Sequence, residues 1–337
     1  MRLQTHSFGD YTFHPHAVFP SAAAAAAGPA GNDNPGGGGG SSSSCSSSNS
    51  GSSTGAPRHW DFVVVTTKAL PDRGDDSAAV APLVGPATAL VLIQNGVGVE
   101  HPYRRRFPAA PLVSAVTVVS AEQPRPGLVV QNRWTRIHLG PYTHSAAAAS
   151  SPPPPAAPTA ADDDALAARG EAAAQALTTA LRAGGVRDAE ALHESALQTV
   201  RWHKLTINAA FNPTAVLCGG RGSAAMARDP ALRAHLAGVM GEIAVGAAAV
   251  LGRPFPSDLA GPERILASSA RNEGGRPSML LDWEAGRPLE IEVILGNPVR
   301  LAAARGVEMP RLQAMYALLK SMQALREEGE AAGRGKL

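Results

Sequence analysis

Residues 201–217 of this 337-residue chain read RWHKLTINAAFNPTAVL. The run is apolar enough for a buried helix, yet it carries an ammonium at Lys204 and amides at Asn208 and Asn212. Residues four apart share a helix face, so the three groups form one polar line about three turns long. Spacing alone leaves two readings open: a solvent-facing stripe, or the wall of a site offering one charged donor and two amides. Trp202, Leu205, Ile207, Phe211 and Val216 surround the line, and asparagine is a poor helix former because it competes for backbone groups; both facts weigh against the stripe. Pro213 cannot donate to the carbonyl of Ala209, which gives the helix a place to bend.

Other groups are ambiguous in isolation. Glu290 and Glu292 flank Ile291 near a helix start, where negative charge suits the dipole; Glu290 joins a site only if it faces Lys204. Ser278 follows Pro277 at a helix start, where capping is the simple role. A phosphate-binding turn places glycines between a strand and a helix. GRGSAA at 220–225 satisfies Gly-x-Gly-x-x-Ala by letter, but it follows a helix, and the Gly36–Gly40 run has no strand before it.

The elements that would position these groups fall into two blocks. DFVVVTTKA (61–69) reads as a buried parallel strand, 75–84 as a short helix, ALVLIQNGVG (89–98) as a second strand and PLVSAVTVVS (111–120) as a third. GLVVQ (127–131) and TRIHLG (135–140) read as a closing antiparallel pair, completing the rhythm of an open α/β sheet. Beyond 163 the pattern is helical, over 164–183, 192–211, 226–251, 278–286, 288–306 with Pro298 inside, and 310–328. Two tracts, 21–57 and 143–163, are rich in Ala, Gly, Ser and Pro and bury little apolar area; they predict a disordered insertion and an Ala/Pro linker.

Net charge is +2, so neither nucleic acid nor an anionic membrane is an expected partner. Arg104–Arg106 reads as a solvated helix end. The two cysteines, Cys45 and Cys218, make neither a disulfide framework nor a metal spacing, so no metal is expected. No uninterrupted apolar run reaches the roughly 18 residues of a bilayer span, and MRLQTHSFGD lacks a signal-peptide core. A soluble, cytoplasmic protein is the expectation, with a mitochondrial location left open.

RWHKLTINAAFNPTAVL resembles the signature of the ketopantoate reductase (2-dehydropantoate 2-reductase) family, and PSMLLDWEAGRPLEIEVILGNPVRLAAARGVEMP resembles its second signature. DFVVVTTKA and LVLIQNGVG are similar to its strand–lysine and Gln-Asn-Gly segments, so the resemblance covers about 60–140 and 190–322. It implies an NADPH-dependent reductase of a 2-keto acid, 2-dehydropantoate to pantoate, acting between a Rossmann-like parallel sheet and a helical domain of the 6-phosphogluconate-dehydrogenase C-terminal kind. Lys204 would be the catalytic general acid, a role lysine can fill because its proton transfers, whereas arginine stays protonated. Asn208, Asn212, Ser278 and Asn95 would bind substrate. Lys68, Asn95, Ser120 and Glu290 would contact the cofactor, and Glu290 could also hold Lys204.

The family begins with a strand, a Gly-x-Gly-x-x-Gly turn, a helix and a second strand with the 2′-phosphate contacts. This sequence shows none of these, and residues 6–20 resemble the piece that follows them. Gly275 and the region of Gly222 stand where the family often has asparagine. The expected organisation is a remnant at 1–20, the insertion at 21–57, a partial NADP-binding domain at 58–142 and the linker at 143–163. A helical substrate domain at 164–328, with capacity to form a homodimer, and a flexible tail at 329–337 complete it. Two functions stay open: the reductase, or a binding or regulatory relative working through its helical domain.

Overall fold

The computed structural model describes residues 1–27, 60–143 and 160–334. The Val-rich run after Asp61 becomes β3 (Phe62–Val65), preceded by β1 (Arg2–Thr5), β2 (Tyr11–Thr12) and α1 (Ala22–Ala27). β3 pairs in parallel with β4 (Ala89–Leu92), and β4 with β5 (Leu112–Arg125). α2 (Asp76–Val80) and α3 (His101–Arg106) make the crossovers. β4 is buried along its whole length, which explains its unbroken apolar sequence. Leu90 and Leu92 pack with Val63, Val65 and Tyr103 on one face, and Val91 packs with Val113, Ile137 and Leu139 on the other.

The expected antiparallel pair at 127–140 is corrected. GLVVQ and TRIHLG lie in a single strand, β6 (Leu128–Pro141), which pairs antiparallel with β5. The chain reverses at Pro126-Gly127, where Gly127 takes φ +81°, so 132–134 has no turn to make. The other edge of β6 takes β1 over Leu128–Gln131 and β7 (Asp188–Ala191) over Arg136–Leu139, both in parallel. β3 ends the sheet on the opposite side.

α4 (Ala160–Ala183) begins inside the stretch expected as a linker and covers the sheet, where Ala174, Leu177 and Leu181 meet the Val91–Ile137 face. Together with β7 it therefore belongs to the sheet layer, and the helical layer starts at α5 (Glu194–Leu217). α1 likewise falls within the expected disordered tract; its six alanines are strong helix formers and pack on a turn at Ala81–Leu83. The rest of that tract, 28–57, and 144–159 of the linker lie outside the described residues. Most of the expected tail is helical.

Around α5 pack α6 (Ser223–Arg228), α7 (Pro230–Leu251), α8 (Pro262–Ser269), α9 (Ser278–Glu284), a π-helical turn (Glu292–Gly296), α10 (Asn297–Ala303) and α11 (Pro310–Arg334). The helix expected over 226–251 is two. Asp229 caps α7 by accepting from the backbone N–H groups of Ala231 and Leu232, both at 3.0 Å, and Pro230 opens it. α5 runs past Pro213 to Leu217 and stops at Gly219 and Gly220, both at positive φ. By length and composition α7 alone among the described helices matches a membrane span. Arg233 and Glu242 interrupt it, and Leu236, Val239, Met240 and Ile243 place it in the helical core.

Candidate active site

α5 lies along an open edge of β5, and this placement brings its polar line to the sheet. β4 pairs with β5 only over Leu112–Ser114. The carbonyls of Ala115 and Thr117, two residues apart and so on the same edge, have no strand partner there. Helix neighbours three apart reach them: Arg201 Nη2 donates to Ala115 O at 3.0 Å, and Lys204 Nζ to Thr117 O at 2.6 Å.

Lys204 Nζ also donates to Asn95 Oδ1 at 2.8 Å, and Asn95 Nδ2 donates to Glu290 Oε2 at 3.4 Å. Glu290 is buried and accepts from Lys68 Nζ and the Ala69 N–H, each at 3.3 Å. Lys68 Nζ donates to Asp282 Oδ2 at 2.6 Å, and Asp282 Oδ1 takes Arg287 Nε at 3.0 Å. One line of bonds thus runs from Thr117 through Lys204, Asn95, Glu290 and Lys68 to Asp282, joining sheet and helices. An ammonium has three donors, and the described residues take two from Lys204, leaving one N–H for an incoming oxygen.

The two ammoniums of this line differ in acidity. Burial, helped by the Arg201 charge, lowers Lys204 to about 8 although Glu290 pulls the other way. Burial also works against the charged form of Lys68, but Glu290 and Asp282 together outweigh it and raise its pKa.

The loop that carries Asn95 is held from every side. Gly96 has φ +84°, and a Cβ there would run into the Val293 carbonyl. Val97 N–H donates to that carbonyl at 3.0 Å. The carbonyl is free because the π-helical turn would pair it with residue 298, and Pro298 has no N–H. Asn297 Nδ2 donates to Val97 O at 2.9 Å. Val97 and Val99 insert into the helical core.

The remaining predicted residues divide. Asn208 is half-buried and Asn212 buried; neither makes a hydrogen bond among the described residues. Ser278 is exposed at the first turn of α9, which packs on α5. It is not the cap, since Pro277 holds that position without a side-chain bond. Ser120 lies on the exposed outer part of β5, beyond Thr117, and makes no bond to the cluster. Glu292, beside Glu290 in sequence, faces away to Tyr316, Arg300 and Lys320; burial raises its pKa, but these partners lower it on balance. The expectation for Arg104–Arg106 is corrected at Arg104, which is fully buried and donates to the carbonyls of Phe107, Pro108, Ala110 and Tyr142. A cavity of about 360 Å³ opens between Ala69, Gln94, Tyr103, Val293 and Asn297, with none of Lys204, Asn208, Asn212 or Ser278 in its lining.

Sequence reasoning missed Asp282, the Thr117 carbonyl and Arg201. A lone aspartate in a short helix and a backbone oxygen give no signal. Arg201 gave one, as a charge three residues before Lys204 within the same apolar run.

Comparison with known families agrees with this fold. The family model for ketopantoate reductase PanE/ApbA matches residues 38–144, and that for the ketopantoate reductase PanE/ApbA C terminal matches residues 196–323. The chain belongs to the ketopantoate reductase family. Among ketopantoate reductases, the 2-dehydropantoate 2-reductase of Nostoc sp. is 25% identical over 74% of this chain and 70% of its own length. The Caulobacter vibrioides enzyme of that name is 29% identical over 77% of each. The crystal structure of 2-dehydropantoate 2-reductase from Methylococcus capsulatus superposes with a TM-score of 0.70 at 27% identity, covering 97% of this chain and 84% of that one. The ketopantoate reductase fold therefore accounts for both the mixed sheet and the helical layer.

Proposed function

We propose that the chain reduces a branched 2-keto acid, 2-dehydropantoate to pantoate, with NADPH as reductant. The observation that carries this reading is the Lys204 ammonium, held between Thr117 O and Asn95 Oδ1, with one donor left over and a pKa of about 8. An acid poised near neutral pH is suited to give its proton to a keto oxygen as that oxygen gains negative charge. Asn208 and Asn212, unpartnered along the same helix face, would orient the hydroxyl and carboxylate groups of the substrate, with Ser278 at the carboxylate.

At the nicotinamide end the residues fit a cofactor. Glu290 and Asn95 offer an acceptor and a donor beside Lys204, and Lys68 is a cation at the carboxyl end of β3, where α/β sheets bind ligands. The bound nicotinamide would supply hydride to carbon 2. The described residues include no Gly-x-Gly-x-x-Gly turn for the pyrophosphate.

The test is oxidation of NADPH that depends on added 2-dehydropantoate, measured on wild type and Lys204→Ala. Wild-type turnover that disappears in the variant supports the reading. A well-folded wild type without turnover rejects it, and a calorimetric titration then separates the alternative: keto-acid binding without NADPH binding identifies a binding relative.

A further inference from the structure

Arg201 is among the most deeply buried charges in the molecule, and the chemistry above does not use it. Its Nη1 donates to the carbonyls of Gln94 and Gly96, both at 3.0 Å, so it grips the chain on either side of Asn95. Its Nη2 donates to Ser114 Oγ at 2.5 Å and Ala115 O at 3.0 Å, tying the same loop to β5. Its Nε lies 3.0 Å from the buried carboxylate of Glu100, which also accepts from Ser114 Oγ at 2.6 Å. Five protein groups thus converge on one guanidinium, whose planar fork can meet them simultaneously.

From this we infer that Arg201 is a positioning residue for proton donation: it fixes the Asn95 side chain that holds the Lys204 ammonium, and it sets the charge that ammonium experiences. The inference rests on Lys204 being the proton donor. Helix geometry puts the two side chains one turn apart, both on the β5 edge. The charged groups around Lys204 are Arg201 on its own helix, Glu290 from the segment before the π-helical turn, Lys68 after β3, and Glu100 behind Arg201. Arg201 pushes the ammonium toward losing its proton, and Glu290 pushes it toward keeping it.

Two variants separate the roles. Arg201→Lys keeps the charge but cannot grip both carbonyls. It is expected to lower kcat by about 10- to 100-fold with KM changed less than about two-fold, because misplacement affects the transition state most. Arg201→Met combined with Glu100→Gln removes the charge pair without leaving an unpaired carboxylate. Trace acetylation of the Lys204 amine across pH, read by mass spectrometry, is expected to shift its titration upward in this variant and to leave it unmoved in Arg201→Lys. A folded Arg201→Lys with wild-type kcat, or a folded double variant with an unmoved Lys204 titration, overturns the inference. The labelling needs no turnover. A wild type that does not reduce keto acid, with a double variant that still shows the shift, rejects the reductase reading and retains the charge-setting role of Arg201.

Discussion

Lys204 and Lys68 stand at opposite ends of one short line of hydrogen bonds, yet their ammoniums are held in opposite ways. Lys204 is part-buried against neutral oxygens, Asn95 Oδ1 and Thr117 O, and its pKa falls. Lys68 is about half exposed, faces the carboxylates of Asp282 and Glu290, and its pKa rises. Burial works against the charge of both lysines, and only at Lys68 do facing carboxylates overturn it. A neutral acceptor stabilises an ammonium less than a carboxylate does.

The largest effect that could break this contrast is Lys204→Arg. It keeps the charge and the contact to Thr117 but removes the transferable proton, so kcat is expected to fall about 100- to 10,000-fold in steady-state assay. Retained turnover would mean that Lys204 acts only as a point charge. Gly96→Ala comes next. Its positive φ and the Val293 carbonyl leave no room for a methyl group, so thermal denaturation should show a loss of about 1–3 kcal/mol together with reduced turnover.

A smaller effect is expected from Glu290→Gln. A proton donor must be protonated, so kcat/KM for keto-acid reduction should fall as pH rises through about 8 in wild type. Because Glu290 raises the Lys204 pKa, the neutral glutamine should move that alkaline limb to lower pH. A limb that moves upward would place the titration elsewhere. The smallest effect belongs to Asp282→Asn. Lys68 keeps Glu290 as partner, so the amine of Lys68 should titrate lower, with kcat changed less than about two-fold.

Much of this site was legible in one stretch of sequence. The spacing of Lys204, Asn208 and Asn212 predicts a shared face on one helix, and the apolar residues around them predict its burial. β3 and β4 are legible for the same reason, being continuous apolar runs bounded by polar residues. The β5–β6 ribbon was misread because the outer half of β5 is exposed on both faces, so apolar alternation does not mark where that strand continues, and only the glycine at 127 marks the reversal. α4 carried a clear helical pattern, but composition does not say which layer a helix joins; Ala174 and Leu177 find the sheet only in three dimensions. Arg104 and Asp282 look like surface charges because their partners, backbone carbonyls and a distant lysine, are set by tertiary contact.

The depressed acidity of Lys204 also ties folding to pH. An unfolded lysine titrates near 10.4, and in the native chain this one titrates near 8. Between those values the unfolded chain binds more protons, so raising the pH across that window favours the native state. The stabilisation is complete above the unfolded pKa and is lost as pH falls through about 8. The same proton therefore acts on the protein in opposite senses: alkaline solution tightens this part of the fold while removing the acid that the reduction requires.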